Sequence, residues 1–171
     1  MKKILTAALL TAIMLTIAAS AFAATGLGSV TTVTNTAATA DKAGSVSGYT
    51  YMCAVTLDDE GKIAGVVFDA VQPKGSFDAT GAIVGETSVV VESKNEIKDG
   101  YGMKKISPIG LEWYEQMDKL EDWCIGKTVE EVLATPLTEG GNPTDVDLVA
   151  GCTVHINDQL VSLQKAAASA R

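Results

Sequence analysis

The chain has 171 residues, with 21 Asp and Glu against 13 Lys and Arg, a formal net charge of −8 and a single histidine, His155. That acidic balance disfavours nucleic acid and anionic membrane as partners, since both need clustered positive charge; one histidine supplies neither a His-clustered metal site nor an ordinary Ser-His-Asp triad. The cysteines Cys53, Cys124 and Cys152 have no Cys-x-x-Cys spacing, which excludes a zinc knuckle, a thioredoxin-like redox pair and a haem attachment motif.

Residues 1–23 read as a signal peptide: Lys2 and Lys3, an apolar run from Ile4 to Ala19 broken by Thr6, Thr11 and Thr16, then Ala21-Phe22-Ala23 as a small-residue cleavage site. The run is shorter than a membrane span. Cleavage after Ala23 and export are therefore expected, with no direct membrane insertion of the mature chain. No cysteine stands at the cleavage point to carry a lipid. Residues 24–171 suit a single domain with one core, and the loss of Lys2 and Lys3 takes the net charge to about −10. Three exported cysteines allow one disulfide and leave one thiol over; spacing does not choose the pair, and buried free thiols are expected at Cys53 and Cys124.

Val30 to Thr34 favour a first strand, followed by a loose connection through Asp41 and Lys42. Tyr49, Tyr51, Cys53, Val55 and Leu57 alternate onto one face of a second strand. Asp58-Asp59-Glu60-Gly61 lacks the ligand spacing of an EF-hand and reads as a solvated hairpin turn, with Lys62 to Val71 as the returning strand. Pro73, Gly75 and Gly81 mark a connection to another strand over Ala82 to Glu92, ending in Val89-Val90-Val91. Lys94 to Lys105 reads as an ordered loop, its Lys104-Lys105 pair a solvated rim or a contact for an anion.

Ser107-Pro108 predicts a helix start and Gly126 its end, with Trp113, Met117, Leu120 and Cys124 on one buried stripe. Trp113, Tyr114 and Trp123 are core aromatics or stacking partners for a planar ligand. Thr128-Val129-Glu130-Glu131 has the form of a capping box opening a short helix that ends near Ala134. Pro136 to Thr144 is a loop, and a last helix from about Asn157 to Ala168 buries Ile156, Leu160, Leu163 and Ala167. The order predicts an α+β domain: an antiparallel sheet of hairpin strands packed with about three helices, the C-terminal helix following a ligand loop.

That loop is Asp147-Leu148-Val149-Ala150-Gly151-Cys152-Thr153. Its small residues Ala150, Gly151 and Cys152 let backbone N–H groups approach an anion. Thr153 offers a hydroxyl, and the helix beyond presents unpaired N–H groups and a positive dipole end. The alternative is a packed turn with Thr153 or Asn157 as cap. The segment resembles the covalent attachment motif of the bacterial FMN-binding domain family, in which an Asp, two variable residues, Ser or Thr, Gly, Ala and Thr follow one another. Asp147, Gly151 and Thr153 match; Ala150 replaces Ser or Thr, and Cys152 replaces Ala. The resemblance extends weakly through Val55 to Ile63 and down to Gln164, and Asp99 to Lys105 is similar to a subgroup of secreted bacterial proteins.

The resemblance implies FMN as cofactor, esterified to Thr153 by an FMN transferase. It also implies membrane redox partners and a role in extracytoplasmic electron transfer without independent catalysis. Asp147, Ala150, Gly151, Cys152 and Thr153 would be the cofactor-binding residues. The competing reading is a flavin-free surface binding or structural protein on the same fold. A thiol enzyme would need an exposed Cys152 paired with His155. Asp145 and Asp147 form an Asp-x-Asp pair that lacks further ligands for a divalent cation, so no metal site is expected. Gly26-Leu27-Gly28 has Thr31 where a dinucleotide fingerprint needs glycine, and no P-loop occurs.

Overall fold

A computed structural model describes residues 23–86 and 88–171; the segment read as a signal peptide, but for Ala23, lies outside them. Five antiparallel strands form one sheet. β1 (Ala24–Thr36) pairs along its whole length with β2 (Gly44–Leu57). The other edge of β2 is shared, its C-terminal half pairing with β3 (Ile63–Val71) and its first residues with β4 (Lys74–Phe77). β5 (Ile83–Val84) then pairs with β4. The α+β fold expected from the sequence is the fold observed.

The alternation read in β2 holds: Tyr51, Cys53 and Val55 are buried, beside Ala70, Phe68 and Val66 of β3 on the same face. The hairpin turn is held by Asp58, whose Oδ1 accepts from the Glu60 and Lys62 N–H groups at 3.0 and 2.8 Å, while Gly61 takes φ +77°. The strand expected to end in Val89-Val90-Val91 is instead the two residues of β5. Those three valines lie outside regular structure and are exposed. The pairing goes to β4, which the sequence reading had placed in a connection.

After the sheet comes α1 (Lys94–Ile97), capped by Ser93 and Glu96 in a reciprocal box, followed by 3₁₀ turns at Lys98–Tyr101 and Met103–Lys105. α2 runs from Trp113 to Cys124. It does not start at Ser107-Pro108: Gly110 at φ +65° breaks the path, the Ser107 hydroxyl accepts from the Leu111 N–H and the Gln116 amide, and Glu112 with Glu115 forms the cap. The predicted stripe is right, with Trp113, Met117, Leu120 and Cys124 all buried. α3 (Val129–Leu133) carries the expected Thr128/Glu131 capping box. α4 (Val146–Val149) and α5 (Asn157–Ser169) complete the chain. Neither Thr153 nor Asn157 caps α5; the position falls on Ile156, which has no capping side chain.

One face of the sheet is covered by α2 and α5. Gly26 and Gly28 of β1 pair with Val55 and Cys53 on that face, and a Cβ at Gly28 would stand 2.1 Å from the Ser162 carbonyl oxygen. The two glycines therefore let the backbone of α5 lie directly on β1. This is the physical role of the Gly26-x-Gly28 pair. All three cysteines are free and buried on this side, and burial pushes the Cys53 and Cys124 thiols up to about 12.

Candidate functional site

The segment from Asp145 to Thr153 is a short helix followed by a tight turn. Asp145 caps α4, its Oδ1 accepting from the Asp147 and Leu148 N–H groups at 3.0 and 3.3 Å. Its carboxylate is committed to the backbone, and no group of three or more His, Cys, Asp or Glu able to hold a metal occurs among the described residues. Asp147 and Ala150 are exposed, whereas Gly151 and Cys152 are buried. The Gly151 and Cys152 N–H groups both donate to the Leu148 carbonyl, at 3.0 and 2.8 Å. The expected nest of free amides is thus already satisfied within the turn.

Gly151 is small for a different reason. A Cβ there would lie 2.6 Å from Cγ of Lys119, so the glycine seats the aliphatic stem of that lysine. The Cys152 side chain faces the core, and burial pushes its thiol up to about 11. His155 is exposed and pairs with the Tyr51 hydroxyl at 3.0 Å. A Cys152/His155 nucleophile is overturned on both counts: the thiol is inaccessible and the imidazole is engaged elsewhere.

Thr153 is half-buried and anchored from two sides. Its N–H and its hydroxyl donate to Oε1 of Gln116 at 2.9 and 3.2 Å, and its carbonyl accepts from the Asn142 amide at 2.7 Å. Gln116 is fully buried, and its Nε2 donates to Ser107 Oγ and the Leu111 carbonyl, both at 3.2 Å. A rigid amide therefore fixes where the Thr153 hydroxyl sits. That hydroxyl donates its proton to Gln116, which leaves its oxygen lone pairs unengaged by the bond. Neither Gln116 nor Asn142 was foreseen as part of the site; the one available signal was a glutamine one turn after Trp113 on the buried side of a helix.

Beyond Gly151 is a cleft of about 460 Å³ lined by Leu111, Lys119, Trp123, Asp147, Leu148 and Ala150, in the size range of small-ligand sites. Trp123 is half-buried there, with the Lys127 Nζ 3.7 Å from its ring centroid. Elsewhere, Lys94, 4% exposed, places its Nζ 5.0, 4.3 and 4.7 Å from the ring centroids of Tyr49, Tyr101 and Trp113. Burial brings this ammonium down to about 8, opposed by the charge of Asp69. Tyr49 stacks on Tyr51 at 4.6 Å, and burial raises both phenols. Tyr114, exposed to a neighbouring acid, donates to Asp99 at 3.4 Å; Lys104 faces Glu115 at 4.0 Å.

The residues fit a phosphate-linked group in one respect: a positioned hydroxyl at the half-buried Thr153. They do not provide the amide cradle expected of Ala150, Gly151 and Cys152.

The fold and site define an α+β domain with one threonine hydroxyl held by a buried glutamine amide. In sequence, a chlorophenol reductase of Desulfitobacterium hafniense is 34% identical over 90 residues, which is 46% of this chain and 28% of that protein. The matched part thus spans less than a third of the relative's length. No protein-family model matches the chain, and no solved structure matches it.

Proposed function

We propose that this chain is an exported flavin-carrying module that holds FMN through Thr153 and serves extracytoplasmic electron transfer, without catalysis of its own. The observation that carries this reading is the Thr153 hydroxyl, held by the buried Gln116 amide at the last position of the Asp147, Gly151, Thr153 pattern. An FMN transferase would transfer the flavin mononucleotide phosphoryl group to that oxygen from a flavin dinucleotide donor: the new P–O bond forms as the donor's pyrophosphate bond breaks, a nucleoside monophosphate leaves, and the threonine proton passes to a base of the transferase. Gln116 would fix the rotamer offered to the transferase, and Asn142 would hold the Thr153 backbone while the hydroxyl is engaged. Flavin, when bound, supplies reversible electron uptake; the protein supplies position and electrostatics. Redox partners at the membrane would deliver and accept the electrons.

The partial likeness to a protein named for a reduction supports a redox role. The activity of that longer protein is not carried over with it. A second reading, a flavin-free surface binding or structural protein, is favoured by one observation: the turn amides are bonded to Leu148 and offer an anion nothing. The two readings separate when the chain is produced for export together with an FMN transferase and run on a denaturing gel. A fluorescent flavin band for the wild type that disappears in Thr153→Val supports the carrier. A wild-type band without fluorescence, from protein that also fails to retain free FMN, overturns it in favour of the flavin-free protein.

A further inference from the structure

β1 lies at the edge of the sheet, with β2 on its inner side. The outer edge of its first half is covered by the end of the chain. Thr25 exchanges backbone bonds with Arg171 at 3.4 and 3.3 Å, the Leu27 N–H and carbonyl both meet the Ser169 hydroxyl at 3.0 Å, and Lys165 Nζ donates to the Ser29 carbonyl at 2.9 Å. All three β1 residues are odd-numbered. In an antiparallel pair, alternate residues turn their backbone groups toward the partner strand and the others turn them away, and β1 keeps an unbroken register with β2 as far as Thr36. The next outward-facing residues are therefore Thr31, Val33 and Asn35. Among the described residues, nothing bonds to their outward N–H and C=O groups.

An open strand edge is a template for another strand, and proteins blunt one with charge, proline, a bulge or brevity. Residues 30–36 use none of these. They read Val-Thr-Thr-Val-Thr-Asn-Thr, without charge or proline, their register with β2 has no bulge, and Val33 is 63% exposed. At the other end of the sheet β5 is only two residues long.

The partner that fits this edge is the edge itself. Running antiparallel across a two-fold axis at Val33, two copies would set Val33 against Val33 and Thr31 against Asn35, so that every outward donor and acceptor of these residues is matched. A shift of two residues would set Asn35 against Ser29, whose carbonyl Lys165 already holds, or Thr31 against a residue beyond the strand. Self-matching of this kind is what an isologous two-fold interface requires. Charge points the same way: the chain carries a net −8, so two copies repel, and this uncharged edge brings no like charges face to face.

We infer that the outer edge of β1 at Thr31, Val33 and Asn35 is a dimerisation surface, on which a second copy of this chain adds its own β1 and joins the two sheets into one. Backbone bonds set the register, and the Val33 pair and the Thr32–Thr34 pairs add side-chain contact across it. The interface needs no flavin.

The test is sedimentation equilibrium of the purified chain over a micromolar to millimolar series for wild type, Val33→Pro, Val33→Lys and Val90→Lys, with thermal unfolding to confirm that each variant folds. Proline at an outward-facing edge position removes that N–H and leaves the β1–β2 ladder intact. Lysine at the axis sets like charges opposite one another while reducing the net negative charge of each copy, so a weaker dimer would not reflect overall repulsion. Val90, 96% exposed and beyond β5, is the control. Expected are a wild-type dimer, self-association weaker by about tenfold or more in both Val33 variants, and no change in Val90→Lys. A wild type that stays monomeric across the series overturns the inference, as does either folded Val33 variant associating as tightly as wild type. A loss confined to Val90→Lys overturns it in favour of the valine segment after β5.

Discussion

Gln116 and Glu121 lie on the same helix, five residues apart, and their polarity has opposite consequences. Gln116 is buried with donors and acceptor all engaged, so it fixes Thr153. Glu121 accepts from the Phe68 N–H at 2.8 Å, but burial, together with Asp118, Asp122 and Asp69 nearby, pushes its carboxyl up to about 7 against the pull of that hydrogen bond. The folded state therefore holds this proton more tightly than the unfolded chain. Its stabilising effect is complete below the ordinary glutamate range and is lost as pH rises toward 7. Glu121→Gln keeps an acceptor for Phe68 and removes the charge. It should gain about 1–2 kcal/mol over wild type at pH 8, discounted for partial solvent exposure, and almost nothing at pH 4. Urea unfolding at the two pH values checks this; equal gains at both would show that the carboxylate is not the cause.

At the scale of elements, β1 lies so close to α5 that only Gly26 and Gly28 leave room, a Cβ at either standing nearer to its neighbours than at any other glycine described. A methyl group at Gly28 meets backbone atoms, Ser162 O at 2.1 Å and Ala166 N at 2.4 Å, which no rotamer change can relieve. Gly28→Ala should cost about 3 kcal/mol, the upper end for overpacking, and lower the thermal midpoint; Gly65→Ala, whose Cβ would meet only Thr56 at 3.9 Å, is the matched control. Comparable destabilisation by both would remove the helix contact as the reason. The sequence announced neither role, because a close approach is a property of two elements 134 or more residues apart. What it did announce was local: the β2 alternation, the Asp58 to Gly61 turn, the Thr128 capping box and the α2 stripe each lie within one element. The misread Ser107 start has the same explanation. Ser107 looked like a cap, but its hydroxyl serves a glutamine that only tertiary packing brings to it.

For the molecule as a whole, the last thirty residues are where the sheet, α2 and the C-terminal helix converge. Thr153 is tied to a residue 37 positions earlier, and His155 to one 104 positions earlier. The pattern of Asp147, Gly151 and Thr153 was legible because it is contiguous. Gln116, Asn142 and the Lys94 cage were not, since nothing in a linear sequence marks a lysine as buried. Even within the contiguous stretch, the small residues have a purpose other than the one expected. Gly151 accommodates Lys119 and Cys152 fills the core, so the account depends on the threonine oxygen and not on an amide nest. The measurement that tests it most directly is the intact mass of the protein made together with an FMN transferase, followed by peptide mapping. The account predicts one flavin phosphate added per chain, located on the peptide containing Thr153 and missing in Thr153→Val. An unmodified wild type, or an adduct that persists in Thr153→Val, would contradict it.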